Sequence, residues 1–366
     1  MEKTSTTPNR LLSLDFMRGF IMVLLALEST GLYEHLDKAT ANTPVNIFIS
    51  QFFHVPWNGM HLWDNIQPAF MFIAGTSMAF SLERQRQKGI SWNQSFKKTL
   101  KRCGWLLFWG IFDYAVHRDG TLSFELWDVL TQLSFTTLVA FLIFRWSFTY
   151  QILVCVFLLL LTEVLYRFTN IPGFDQPFVN HRNFGNYMDL VLMHKINREG
   201  WVAINCIPTA VHTIAGAMVG KLLLSKPAIK PVLIGSALCL LTGFLLSLTN
   251  ITPIIKKIAT SSFTLVSLGW CLLAMAFVYW WIDVKGHKKW LSFVTIVGMN
   301  SLFIYLFFEI VASRWFNAYI GAITNGLMSY TPVPAMLQLI ITSLIIFALE
   351  WYACYFLYTK KVFFKL

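Results

Sequence analysis

Stretches of about twenty apolar residues, the length that crosses the hydrocarbon core of a bilayer as an α-helix, recur along this chain from one end to the other. In hydrocarbon a backbone has to satisfy its own N–H and C=O groups, so such stretches commit the chain to helices. Ten spans are read, at residues 12–33, 66–82, 99–116, 126–144, 149–168, 201–224, 229–249, 260–282, 290–312 and 336–358. Residues 315–325 add a re-entrant or interfacial piece. Charged residues make up 13% of the 366 positions, about half the share with which a soluble globule covers itself. The expectation is an all-α integral membrane protein, a polytopic bundle of about ten (10–11) transmembrane helices. No soluble domain, low-complexity linker or internal repeat interrupts it. The first span holds Asp15 and Arg18 and lacks a small-residue cleavage site, so it does not read as a removed signal peptide.

Orientation follows from the loop cations. With a cytoplasmic N-terminus, nineteen of the 29 Lys and Arg fall on the cytoplasmic side, among them Lys3, Arg10, Lys226 and Lys365, and an even span count returns the C-terminus there too. The net charge of +11 is then topology. A nucleic-acid partner would need one soluble basic face, and none is present. Cys103, Cys155, Cys206, Cys239, Cys271 and Cys354 all lie in or beside spans, which leaves neither a disulfide framework nor a zinc pattern. No metal-ligand cluster, HExxH, GxSxG or dinucleotide fingerprint occurs.

Function therefore has to reside in the few polar groups that a bilayer tolerates. Two long loops on the non-cytoplasmic side, 34–65 and 169–200, are rich in His, Trp, Asn, Asp and Phe, a composition for ordered structure. The first contains His54-Val-Pro-Trp57-Asn58-Gly59, with Asp64 ten residues after the histidine. An imidazole exchanges a proton near neutral pH or acts as a nucleophile, and Asp64 is the nearest group to fix its tautomer; a purely structural histidine is the competing reading. His61 is an alternative base. His35, His117, His181, His194 and His287 read as solvated loop residues, and His212 as an interior group with a packing or a functional role.

On the cytoplasmic side Arg84, Arg86, Lys88, Lys97, Lys98, Lys101 and Arg102 form a dense block. Such blocks set topology or meet anionic lipid heads, and Arg and Lys also suit the phosphates of a cosubstrate. Asp15 and Arg18 share one helix face, either shaping a cavity mouth or forming a structural ion pair. Gly298-Met299-Asn300-Ser301 leads to Tyr305 and Glu309 within one span, and Glu28, Asp113, Asp128, Glu163 and Glu350 also lie in or near spans. Gly216-xxx-Gly220 is read as close helix packing.

Taken together these motifs resemble the family of heparan-alpha-glucosaminide N-acetyltransferase and its bacterial relatives. Arg10-Leu-Leu-Ser13-Leu-Asp15-Phe-Met-Arg18-Gly19 is similar to that family's opening, and His54 through Trp57-Asn58-Gly59 and Asp64 to Phe72-Ile73-Ala74-Gly75-Thr76-Ser77 is similar to its H-x-x-W-N-G…D…P…F-I-x-G-x-S segment. Asn186, Asp189 and His194 before Asn197-Arg198-Glu199-Gly200, Ile207-Pro208 through Lys221, and Gly298-Met299-Asn300-Ser301…Glu309 extend the likeness along nearly the whole chain. The sequence departs from the family at Glu28 and Ser29, where an Asn is usual, at Asn197-Arg198, where Asp-Pro is usual, and at Thr131-Gln132, where Gln-Arg is usual.

The resemblance implies a single transmembrane acyltransferase domain over 1–366, in a cell (inner or plasma) membrane. It implies acetyl transfer at His54 from cytoplasmic acetyl-CoA to an amino sugar, sugar hydroxyl or glycan on the far side. Asn58, Asp64 and Asn300 would orient the histidine or hold an oxyanion, with Glu309 behind them. Arg18, Arg84, Arg86, Lys97, Lys98 and Arg102 would receive the coenzyme's phosphates. Membrane lipids are further partners, and a homodimer is an open option. The rival readings are a sugar or glycan-lipid transporter or flippase, with buried charges as coupling groups, and an inactive scaffold.

Overall fold

The computed structural model describes residues 11–115, 122–225 and 229–364. Lys3, Arg10, His117, Lys226 and Lys365 lie outside the described residues. The described residues are mainly helical, with an isolated antiparallel bridge between Asn58 and Ile255.

The helices are α1 (Leu12–Ser29), α2 (Leu32–Thr40), α3 (Pro44–Ile49), α4 (Ile66–Gln87), α5 (Trp92–Ala115), α6 (Val129–Leu142), α7 (Phe148–Phe168), α8 (Phe184–Met193), α9 (Cys206–Ser225), α10 (Ile229–Leu248), α11 (Ser261–Tyr279), α12 (Leu291–Met299), α13 (Ser301–Leu306), α14 (Asn317–Met328) and α15 (Ala335–Thr359). A π-helical stretch, Phe307–Phe316, joins α13 to α14. Every span read from the sequence carries a helix, and residues 315–325 continue as α14. The two long loops, 34–65 and 169–200, are ordered, with α2 and α3 in the first and α8 in the second.

Among the described residues, five helices are long and apolar enough to cross a membrane: α7, α9, α10, α11 and α15, with α9 and α11 counted together with short flanking turns. A sixth is added if α12 and the run from Ser301 to Met328, bent by 74°, make one span. The chain is thus an all-helical membrane protein. Helices α1, α4 and α5 carry charge within the span, and α6 has only 14 residues. These four helices line the internal cavities described below together with α12 and α13, whereas α7 and α10 turn most of their Leu, Ile, Val and Phe outward, as lipid contact requires.

Packing at the centre is tight because small residues let backbones meet. A Cβ on Gly75 would stand 2.0 Å from Thr213 O, and one on Gly216 the same distance from Phe72 O, so α4 and α9 cross in direct backbone contact. This bears out the packing reading of Gly216-xxx-Gly220. Gly19 and Gly298 meet in the same way between α1 and α12. Helix ends find partners as well. The carboxylate of Asp283 accepts the N–H groups of Leu12 and Ser13 at 3.3 and 3.0 Å, capping α1, and Asp128 caps α6 through Leu130 N–H at 2.7 Å.

Candidate active site

The loop from Phe53 to Asn65 is built around Asp64. This residue lies within a short 3₁₀ turn, Leu62–Asn65, and its Oδ2 accepts the His61 N–H at 2.8 Å. The other oxygen, Oδ1, lies 2.8 Å from His54 Nδ1. A carboxylate only accepts, so Nδ1 carries the proton and donates to Asp64. That leaves Nε2 with its lone pair and, among the described residues, without a hydrogen-bond partner. Asp64 is 1% exposed and the His54 side chain 36%, so a buried anion holds a ring that opens onto a cavity.

The bridge at Asn58 brings a second loop to this pair. Gly59 N–H donates to Ile254 O at 2.8 Å, and the neighbouring turn delivers Lys256. Its Nζ stands 3.1 Å from His54 Nδ1 and 3.7 Å from Asp64 Oδ1. With Nδ1 protonated the first of these is a close approach of an ammonium to the ring, and the attraction is to Asp64. Lys256 is 7% exposed and lies over the Trp201 ring, 5.1 Å from its centroid. Trp201 in turn meets the His54 ring edge-on at 5.6 Å. Lys257 holds this loop down by donating to Glu199 O at 2.8 Å.

The charges act on one another. Burial and the Lys256 cation hold His54 below its ordinary 6.5, against the pull of Asp64. Burial alone would raise the Asp64 carboxyl, but the hydrogen bond from His54, the Lys256 ammonium and the His61 N–H outweigh it and keep it low. Burial pushes Lys256 down to about 8, despite the attraction of Asp64 and Glu28. At neutral pH the group is thus a neutral imidazole between an anion and a cation.

His54 and Lys256 line a cavity of about 510 Å³. Its other walls hold Glu28 of α1, Gln67 and Phe70 of α4, Tyr114 of α5, Asp128 at the head of α6, Asn197–Trp201, Tyr305 and Glu309. Tyr305 Oη donates to Asp128 Oδ2 at 2.8 Å, and Gln67 Nε2 donates to Gln132 Oε1.

Phe70 and Tyr305 also line a second cavity, of about 370 Å³, with Arg18, Ser77, Ser81, Arg102 and Gly298. Arg18 Nη2 donates to Ser77 Oγ at 2.5 Å and pairs with Asp15 at 3.7 Å. Arg18, Ser77, Ser81 and Met299 are shared with a third, of about 660 Å³, which holds Arg84, Lys88 and Lys98. Three cavities thus follow one another along α4, from Ile66 at one end to Lys88 beyond the other. The eighteen steps from Ile66 to Arg84 rise roughly 27 Å, close to the thickness of a hydrocarbon core.

Of the residues expected to act, His54, Asp64 and Glu309 gather at the outer cavity, and Arg18, Arg84, Lys98 and Arg102 at the inner two. Four stand elsewhere. Asn58 lines none of the three cavities and serves the site through its backbone bridge. Asn300 is fully buried and binds the C-terminal segment, donating to Val362 O at 3.1 Å and accepting the Phe364 N–H at 3.1 Å; that environment does not suit an oxyanion role beside His54. Arg86 pairs with Glu83 at 2.9 Å in a separate surface hollow, and Lys97 lines none of these cavities. His61 points back to Phe53 O at 3.0 Å, and His212 is buried between Thr209 O and Ser267 Oγ at 3.2 and 2.8 Å, a packing role.

Sequence reasoning passed over Lys256, Tyr305 and Trp201 as site residues. The signal for the first was present: two adjacent lysines in a short, otherwise apolar loop on the side where cations are sparse.

No protein-family model matches the chain, and a search of curated proteins finds no relative.

Proposed function

We propose that the protein is a membrane acyltransferase of about ten spans with both termini cytoplasmic, moving acetyl from cytoplasmic acetyl-CoA to an amino sugar or sugar hydroxyl on the far side. The observation that carries this reading is the line of three cavities joining a basic mouth to the Asp64–His54 pair. Arg84, Lys88 and Lys98 at the mouth and Arg18 further in suit the phosphates of the coenzyme. Arg102 has no hydrogen-bond or ion-pair partner among the described residues, which fits a guanidinium that waits for an anion. The narrower middle cavity, lined by Leu106, Leu130, Leu133 and Leu302, suits the uncharged pantetheine arm.

At the outer cavity the acceptor's amine or hydroxyl attacks the thioester carbonyl while His54 Nε2 takes its proton. As the tetrahedral intermediate collapses, the C–S bond breaks and the proton passes to the coenzyme's sulfur. Asp64 fixes the tautomer that leaves Nε2 basic, and the Lys256 ammonium, which lines the same cavity, makes that cavity more favourable to a developing oxyanion. The motif likeness to heparan-alpha-glucosaminide N-acetyltransferase points the same way.

A line of cavities along α4 also suits a transporter, the second reading. Incubation of purified protein with labelled acetyl-CoA and a panel of amino sugars separates the two. Saturable thermal stabilisation by acetyl-CoA, labelled product, and loss of product by about 10²-fold or more in His54→Ala support transfer. Neither stabilisation nor product, together with sugar uptake into vesicles, overturns it.

A further inference from the structure

On the flank of the bundle away from the His54 site, a basic hollow lies beside the end of an apolar groove, linked to it where Lys221 reaches over the Phe148 ring. The hollow lies at the basic end of α4 and α9. Arg86, Arg145 and Lys221 line it with Trp92 and a single carboxylate, Glu83. Arg145 rests over the Trp92 ring, 5.4 Å from its centroid, and has no hydrogen-bond or ion-pair partner among the described residues. Lys221 donates to Phe144 O at 3.0 Å and lies over the Phe148 ring at 4.8 Å. Three cations against one anion leave the hollow positive.

Phe148 and Leu222, next to Lys221, begin the groove, which runs between α7, α9, α10 and α11 with a volume of about 550 Å³ and a lining that is almost wholly apolar. Along α7 it extends from Phe148 to Leu159, and along α9 from Leu222 back to Val211. Eleven residues of helix rise roughly 16 Å, half of a hydrocarbon core about 30 Å thick and hence the depth of one leaflet. Charge at the leaflet surface and an apolar slot of leaflet depth below it are complementary to one anionic phospholipid.

We propose that this flank is a binding site for an anionic phospholipid of the leaflet at the basic end. Its phosphate meets Arg145 and Lys221, and one acyl chain occupies the groove past Gly235. That glycine is part of the wall, and a Cβ there meets only Leu272 Cδ1, at 3.7 Å, so a larger side chain would fill the groove without disturbing the backbone.

Native mass spectrometry and thermal unfolding of the full chain in detergent test the site, with phosphatidylglycerol, phosphatidylcholine and glycerol 3-phosphate added in turn. The expected result is one retained phosphatidylglycerol with a saturable rise in Tm, little effect of phosphatidylcholine and none of glycerol 3-phosphate. Arg145→Gln weakens phosphatidylglycerol binding roughly fivefold, the worth of one interfacial cation. Gly235→Leu weakens it while leaving every charge in place, and serves should Arg145→Gln fail to fold. Equal retention of both lipids, unchanged binding in the two variants, or stabilisation by glycerol 3-phosphate alone would each overturn the proposal. None of these readouts depends on acetyl transfer.

Discussion

Lys256 and His54, 202 positions apart in the chain, stand with Nζ 3.1 Å from Nδ1, and both face Asp64. A buried ammonium beside an imidazole penalises the protonated ring, while the shared carboxylate keeps both side chains in place. The trio is therefore a device for keeping His54 neutral and oriented, not merely an ion pair.

This arrangement predicts the pH dependence. His54, held below 6.5 by burial and by Lys256, has to be neutral to accept a proton, so transfer falls off on the acid side below that value. Lys256, pushed down to about 8, loses its charge on the alkaline side, and an activity that uses this charge declines there. Lys256→Met is expected to move the acid limb to higher pH, because the cation that opposed protonation of His54 is gone, and to abolish the limb near 8. Lys256→Arg keeps the charge and removes only the alkaline limb. Profiles of kcat/KM against pH decide the matter; an acid limb unmoved in Lys256→Met would mean that its charge does not reach the imidazole. The depressed Lys256 also has a stability consequence. Between about 8 and its ordinary 10.5 the unfolded chain binds the extra proton, so folding stability contributed by this group rises with pH across that window.

Asp64→Asn isolates the tautomer. The amide can donate to Nδ1, which would shift the ring proton to Nε2 and remove the lone pair from the cavity. Transfer is expected to drop by roughly 10³-fold or more, with acetyl-CoA still raising Tm as in the parent. Retention of parental turnover would take Asp64 out of the mechanism.

How far the sequence foretold this arrangement depends on the distance over which each contact acts. His54 and Asp64 lie within one loop, so their pairing follows from local spacing. The helices are legible because apolar length is a local property, and Gly216 and Gly220 because a small residue every fourth position marks a close crossing. Lys256 was not foreseen as a partner of His54, since only the folded loops bring them together through the bridge at Asn58. Asn300 misled for a related reason. A polar side chain within a span has to be satisfied, but the chain does not say by what, and here the C-terminal segment supplies Val362 O and Phe364 N–H. The basic block divides likewise: Arg84, Lys98 and Arg102 face the cavities, while Arg86 turns to Glu83 three residues before it.

That division predicts unequal effects within the block. Arg102→Gln removes a guanidinium that lines the middle cavity, and a charge-assisted contact is worth about 1.5–3 kcal/mol, so KM for acetyl-CoA is expected to rise by roughly 10- to 100-fold. Arg86→Gln and Lys97→Gln, outside the line of cavities, are expected to leave it nearly unchanged. Equal increases in all three would point to diffuse attraction by the surface and not to a binding site.

Phe70 and Tyr305 are the two residues common to the linings of the middle and outer cavities, so a thioester that reached His54 along this line of cavities would have to pass them. Tyr305 is held by its hydrogen bond to Asp128, the cap of α6, and so cannot turn aside without giving up that bond. Phe70→Trp adds bulk where the two cavities adjoin without altering a charge. If the reacting thioester reaches His54 from the basic side, this variant loses transfer by at least about tenfold, yet acetyl-CoA still stabilises it, since the contacts to the phosphates lie below the obstruction. Tyr305→Phe frees the ring from Asp128 without adding bulk, and transfer is expected to survive within a few-fold. The measurement is single-turnover transfer beside the acetyl-CoA-induced change in Tm for each variant. Full transfer by Phe70→Trp would mean that the two substrates meet by another route, and would separate the His54 site from the basic mouth.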